Sequence, residues 1–204
     1  MIGFPSSGIV TANFAATLAG LCLTNTERYK IERVSTRVGC YVHANRNQIV
    51  EAFLKTNNEW LLQIDPDIAV DGDLIFRLLG MARDKFAHVV SGWYMNDVQM
   101  DQAKRLIPLV FKHQGGGLYQ PFLPQGNGPV EADAVGTGCL MVHRDVYEKV
   151  RKSGPSPWFD FATASNGTLT GEDIFFCQTL KEWGYQIWVD PLSQVRHFKM
   201  KELG

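Results

Sequence analysis

The chain has 204 residues, of which 45 % are hydrophobic and 20 % charged, with a formal net charge of −1. That length accommodates one domain around one sizeable core, and the composition excludes a disordered or low-complexity chain. The balanced charge lacks the basic excess needed to neutralise phosphates along a polynucleotide, without excluding a local basic patch.

Cys22, Cys40, Cys139 and Cys177 stand far apart and form no C-x-x-C pair. This argues against a zinc ribbon or a thioredoxin-like motif and fits a reducing compartment. The first residues lack the basic and apolar regions of a signal peptide, and no apolar run approaches the ~20 residues that span a bilayer. The expected location is therefore cytoplasmic. Asn166-Gly-Thr168 matches a glycosylation acceptor and is read as a surface turn.

In chain order, residues 1–4 form a short apolar run stopped by Pro5-Ser-Ser-Gly8, the pattern of a strand entering a loop. Residues 10–23 are rich in Ala and Leu, contain no proline and predict a helix. A strand over 29–35, a helix over 45–56 and a buried strand over Trp60–Ile64 complete a βαβαβ rhythm. A helix over 71–82, a strand over 87–91 and a strand over 106–112 follow. Between His113 and Gly128 the Gly- and Pro-rich stretch predicts a long exposed loop. Strands over 130–135 and 139–142 flank the Gly136-Thr-Gly138 turn, and a helix spans 144–152. A last helix starts near Gly171, with Thr168 or Thr170 as cap, and closes at Gly184; a strand over 186–189 ends at Asp190. Strands alternating with helices make an α/β fold with a mostly parallel sheet, whose ligands bind beyond the carboxyl ends of the strands.

The sharpest chemical signal is Leu61-Leu-Gln-Ile-Asp65-Pro66-Asp67, two carboxylates placed where a buried strand stops. Such a pair offers oxygen ligands for Mg²⁺ or Mn²⁺, which commonly use one or two carboxylates plus substrate phosphates. The plain alternative is a turn that caps the next helix. Asp71-Gly-Asp73 is a rival pair, but it opens an amphipathic helix where capping already accounts for it. Glu172 and Asp173 open another helix and are equally open to a capping explanation. His197 sits just beyond a strand, and a neutral imidazole there is a competent Mn²⁺ ligand.

Together, Ala44-Asn-Arg46-Asn47, Leu62-Gln-Ile-Asp65-Pro-Asp67, Val135-Gly-Thr-Gly-Cys139, Gly171-Glu-Asp173 and His197 resemble, in order and separation, the GT-A glycosyltransferases. The likeness is strongest to the compact family-two-like enzymes of bacteria and their phages. It implies a single domain over 1–204, with a nucleotide-binding half (1–100) and an acceptor and catalytic half (101–204), built on a mixed, mostly parallel central sheet flanked by helices. It implies a nucleoside-diphosphate sugar as donor and Mn²⁺ or Mg²⁺ as cofactor. Asp67 would bind the metal, Asp65 would touch the ribose or the metal shell, and His197 would complete the coordination. Pro5 and Ser6 would lie near the base, and Arg46 and Asn47 would contact the donor. Asp173, with Glu172 next in line, would act as base toward the acceptor hydroxyl. Trp93 and Trp158 are candidate sugar-stacking walls, with plain core packing as the alternative. Pro66 departs from the pattern by removing the middle amide donor of the motif. The acceptor stays open: a glycan, a protein, a small molecule or modified DNA. Two other readings stay open as well, a nucleotidyltransferase and a noncatalytic nucleotide-sugar-binding module. Against the first, Pro5-Ser-Ser-Gly8 carries no basic residue; against the second, both Asp67 and Asp173 are present.

Overall fold

Alternate side chains along the strands enter two separate cores, and the sheet between those cores frames the fold. The computed structural model describes residues 1–100, 103–152, 157–163, 167 and 169–199. The first elements are β1 (Ile2–Ser6), α1 (Ala12–Tyr29), β2 (Val34–Val38), α2 (Val42–Leu54), β3 (Trp60–Ile64), β4 (Ile68–Ala69) and α3 (Leu74–Asp84). Next come β5 (Val89–Trp93), β6 (Met95–Met100), β7 (Ala103–Pro108), β8 (Val110–His113), β9 (Tyr119–Pro121), β10 (Val130–Ala132), β11 (Ala134–Val135) and β12 (Cys139–His143). The chain then forms α4 (Arg144–Lys152), β13 (Ala162–Thr163), β14 (Leu169–Thr170), α5 (Glu172–Glu182), β15 (Ile187–Gln194) and β16 (Arg196–His197).

The seven-stranded sheet has the order β10-β15-β5-β12-β3-β1-β2. Its strands β2, β1, β3, β5 and β15 share one direction, while β12 and β10 run opposite. The expected mixed, mostly parallel sheet is thus present. In β12, Leu140 and Val142 enter the core beneath α2, α4 and α5, where Phe53, Tyr147 and Phe176 pack. Cys139 and Met141 enter the opposite core with Phe14 and Leu21 of α1 and Leu74 and Leu78 of α3. Burying a side chain such as Phe53 or Phe176 contributes about 1.5–3 kcal/mol. Among the described residues no helix is long and apolar enough to cross a membrane.

Several boundaries differ from the sequence expectation for local reasons. Helix α1 continues past Leu23 to Tyr29 because buried Asn25 donates to Leu21 O and Gly72 O, which satisfies a polar residue that reads as a stop. Strand β2 therefore begins at Val34 instead of position 29. Helix α2 starts at Val42, earlier than position 45, because its Asn45 side chain turns back to Gly39 O at 3.1 Å. The strand expected over 106–112 is split: β7 pairs with β6, whereas β8 pairs with β9 and β11. Part of the expected loop after His113 is thus β9, reached through a turn in which Gly115, Gly116 and Gly117 have φ of 89°, 58° and 78°, a region glycine enters without steric cost. The strand expected over 130–135 divides at Asp133 into β10, which joins β15, and β11, which joins β8. Strand β15 does not stop at Asp190; it runs through Pro191 to Gln194 with a register shift, an irregularity that tolerates proline. Helix α5 is preceded by Gly171 without a side-chain cap; Thr168 and Asn166 lie outside the described residues.

Candidate active site

Strand β3 ends at Ile64, and the next four residues turn sharply. Asp65 N–H donates to Gly138 O at 3.0 Å and Asp65 O accepts from Ile68 N–H at 3.0 Å. Pro66 has no amide to give, but its carbonyl accepts from Thr11 N–H at 3.1 Å and ties the start of α1 to the turn. Asp67 O accepts from Phe198 N–H at 2.7 Å. The short pairing of β16 with β4 sets His197 opposite Ile68. His197 Nε2 then lies 3.1 Å from Asp67 Oδ2, while Nδ1–H donates to Met95 O at 3.3 Å. The hydrogen bond to Asp67 holds the imidazole above its ordinary pKa.

Behind this pair stands Arg46, only 2 % exposed, on the buried face of α2 with Ile49, Val50 and Phe53. Its Nη2 is 2.8 Å from Asp65 Oδ1, its Nε is 3.8 Å from Glu172 Oε1, and its Nη1 donates to Thr137 O at 3.4 Å. Burial works against the charged guanidinium, but Asp65, Asp173 and Glu172 outweigh it and raise its pKa. Asp173 Oδ1 accepts a hydrogen bond from the Thr137 hydroxyl. Burial raises the Asp173 carboxyl to about 6, partly opposed by Arg46 and helped by Glu172. Asp65 is likewise raised by burial, against the pull of Arg46. The carboxyl ends of the sheet therefore gather three carboxylates around one buried cation.

A cleft of about 220 Å³ opens over this corner, lined by Pro5, Ser6, Asn45, Asp65 and Asp67 among others. Sequence reasoning did not single out Asn45 or Thr137 for the site. Tyr94 OH accepts from Gly138 N–H at 3.1 Å, and its ring packs edge-on to His197 at 5.3 Å. A Cβ on Gly138 would stand 2.7 Å from Tyr94 OH and 2.8 Å from Asp65 Oδ2. That crowding is the physical content of Gly136-Thr137-Gly138, and the glycines are the only trace of it in the sequence.

Other candidates are engaged elsewhere. Asn47 exchanges hydrogen bonds with the Phe159 backbone at 2.8 and 3.0 Å, so its amide is occupied in packing. Trp93 and Trp158 are 7 % and 5 % exposed. Their Nε1–H groups donate inward to Pro191 O and Tyr147 O, so both indoles serve the core. The rival Asp71 pairs with Arg77 at 2.9 Å on the surface and accepts from Asp73 N–H at the start of α3.

The donor set fits a divalent cation. Asp67 and His197 offer one oxygen and one nitrogen face to face, leaving further positions to substrate phosphates and water, which is how such ions are commonly held beside a diphosphate. Asp65 Oδ1 is committed to Arg46, so only its other oxygen would be open to an ion.

No protein-family model matches the sequence, and no curated protein sequence does. Solved structures do match. The crystal structure of A197 from STIV aligns with 100 % of this chain and 98 % of its own, with a TM-score of 0.59 at 16 % identity. GalNAc-T7, solved with UDP, GalNAc and Mn²⁺, aligns with 98 % of this chain at a TM-score of 0.59 and 13 % identity. This chain spans 44 % of the length of that protein. These likenesses show the fold, a mixed α/β sheet of the GT-A type.

Proposed function

We propose that this chain is a metal-dependent glycosyltransferase of the compact family-two-like kind, taking its sugar from a nucleoside-diphosphate donor. The observation that carries the proposal is the apposition of Asp67 and His197 beyond the carboxyl end of β3, with the Asp65–Arg46 pair beside it. Residues 1–100 act as the nucleotide-binding half and 101–204 as the acceptor half. Pro5 and Ser6 border the base and ribose, and Asp65 accepts from the ribose hydroxyls. Asp67 and His197 hold the divalent cation; the imidazole in the set favours Mn²⁺ over Mg²⁺. When bound, that ion supplies the positive charge that stabilises the departing diphosphate.

Asp173 takes the proton of the acceptor hydroxyl as its oxygen bonds to the anomeric carbon, while the bond from that carbon to the diphosphate oxygen breaks and the electron pair leaves with the diphosphate. A carboxylate raised to about 6 is still ionised at neutral pH and is a stronger base than an ordinary aspartate. Arg46 is the positioning residue: it fixes Asp65 and balances Asp173 and Glu172 from the buried side. GalNAc-T7, a structural neighbour solved with a nucleotide, a sugar and Mn²⁺, supports this reading of the cleft.

The test is release of nucleoside diphosphate from a panel of UDP-, GDP-, dTDP- and CMP-sugars with Mn²⁺, with CMP release followed for the last. The proposal expects turnover of one donor, lost on chelation, lost in Asp67→Asn and reduced at least a hundredfold in Asp173→Asn. Unchanged turnover in both variants would overturn the site. Donor binding without any turnover, in the presence of candidate acceptors, would point to the noncatalytic module.

A further inference from the structure

A second set of metal-ligating side chains lies at the other end of the sheet. His88 immediately precedes β5, His143 is the last residue of β12, and Asp145 stands in the first turn of α4. Each offers a ligand atom, and these atoms all lie within 4.8 Å of one another. Along β12 the register runs from Cys139, opposite Ile64 beside the Asp65 turn, to His143, opposite Trp60 at the start of β3. The cluster is therefore separated from the proposed catalytic corner by the length of a strand.

The backbone beneath the cluster is rigid. Strands β5 and β12 are paired, and His143 N–H donates to His88 O at 2.8 Å, which holds the two histidines side by side. Their rings meet edge-on at 5.3 Å, and Trp60 and Tyr185 close the sides with ring separations of 4.9 Å to His143 and 5.9 Å to His88. His143 Nδ1 is 3.5 Å from Asp145 Oδ2 and accepts from the Asp145 N–H at 3.3 Å. Burial, with His88 beside it, moves the His143 imidazole below its ordinary pKa, against the raising effect of Asp145. The Asp145 side chain is 63 % exposed and free to swing onto an ion held by the two imidazoles.

We propose that His88, His143 and Asp145 form a binding site for a borderline transition-metal ion, Zn²⁺ in the first instance. Two imidazole nitrogens and one carboxylate oxygen supply three ligands of a tetrahedron, and water fills the fourth. The ion clamps the start of α4 to the β5–β12 pair, away from the catalytic chemistry, and Trp60 and Tyr185 form the apolar shell that shields it.

The test titrates Zn²⁺ alone into the chelator-treated full chain carrying His197→Gln, which silences the other candidate site. Calorimetry reads stoichiometry and affinity, and thermal melting reads stabilisation, since an ion that binds only the folded state raises Tm. One equivalent of Zn²⁺ with a rise in Tm of several degrees is expected. Adding His88→Gln or Asp145→Asn, both chosen because His143 packs on Trp60 and its loss would disturb the fold, should weaken binding at least about tenfold and remove the Tm rise. Replacing Zn²⁺ by Co²⁺ should give the intense visible bands of a tetrahedral ion, lost in His88→Gln. No Zn²⁺ binding at 100 µM, or binding unaltered by His88→Gln, would overturn the site.

Discussion

His197 Nε2 lies 3.1 Å from Asp67 Oδ2 although 130 positions separate the two residues in the chain. The contact follows from two very short strands, β4 and β16, whose pairing sets His197 opposite Ile68 and Phe198 N–H onto Asp67 O. Anything that loosens this pairing opens the proposed metal site before it touches the main sheet.

Arg46 is surrounded by carboxylates and is almost wholly buried. Arg46→Met removes the cation and leaves Asp65, Asp173 and Glu172 to repel one another, so a loss of about 3–5 kcal/mol is expected. Arg46→Lys keeps the charge but not the fork that reaches Asp65 and Thr137 together, and should fall between wild type and Arg46→Met. Urea denaturation midpoints of the three proteins check the order.

Asp173 has a folded-state pKa of about 6 against an ordinary value of 3.8. The folded protein therefore holds that proton more tightly than the unfolded chain. The resulting stabilisation is fully present below pH 3.8 and is lost as pH rises through about 6. At pH 7.5, Asp173→Asn should be more stable than wild type by about 1–3 kcal/mol, with the difference vanishing in acid. The same variant should lose transfer, and the wild-type rate should fall as pH drops through about 6, where the base takes up its proton. Melting curves and a rate profile over that range test both halves.

Gly138 is hemmed in by Tyr94 OH, Asp65 Oδ2 and Ile68 Cδ1 at 2.7, 2.8 and 2.8 Å from a built Cβ. Gly138→Ala should cost about 1–3 kcal/mol by overpacking and shift Asp65. Gly80→Ala, where a Cβ meets nothing within 4 Å, is the matched control and should cost nothing. Thermal melting of both, with donor turnover, separates crowding at the site from a general effect of alanine.

Trp158 Nε1–H donates to Tyr147 O at 3.0 Å inside the core. Trp158→Phe removes that hydrogen bond, while the carbonyl stays within helix α4, and should cost about 0.5–1.5 kcal/mol of stability. Donor binding should be unchanged, because the indole is turned away from the cleft. Denaturation paired with donor titration distinguishes this core role from sugar stacking.

Much of this was legible in the sequence wherever a pattern is local. Trp60–Ile64 reads directly as a buried strand, and Asp65 and Asp67 follow at the end where ligands bind. Helix α4 is equally plain, since Val146, Tyr147 and Val150 mark one buried face. What escaped depends on distant partners. Asn25 reads as a helix stop until Gly72 O is known to accept from it. Arg46 is expected as a donor contact, but no local pattern shows that Asp65, Asp173 and Glu172 converge on it. Strand β16 is two residues long and has no period to detect, so only the family resemblance, and no local pattern, brings His197 to Asp67.

The most direct measurement is a calorimetric titration of the wild-type chain with UDP-, GDP-, dTDP- and CMP-sugars, each with Mn²⁺ and again with excess chelator. The account predicts saturable binding of one nucleotide class that requires Mn²⁺ and is weakened at least tenfold in Asp67→Asn. Binding of equal affinity in the presence of chelator, or in Asp67→Asn, would contradict the assignment of Asp67 and His197 to the metal.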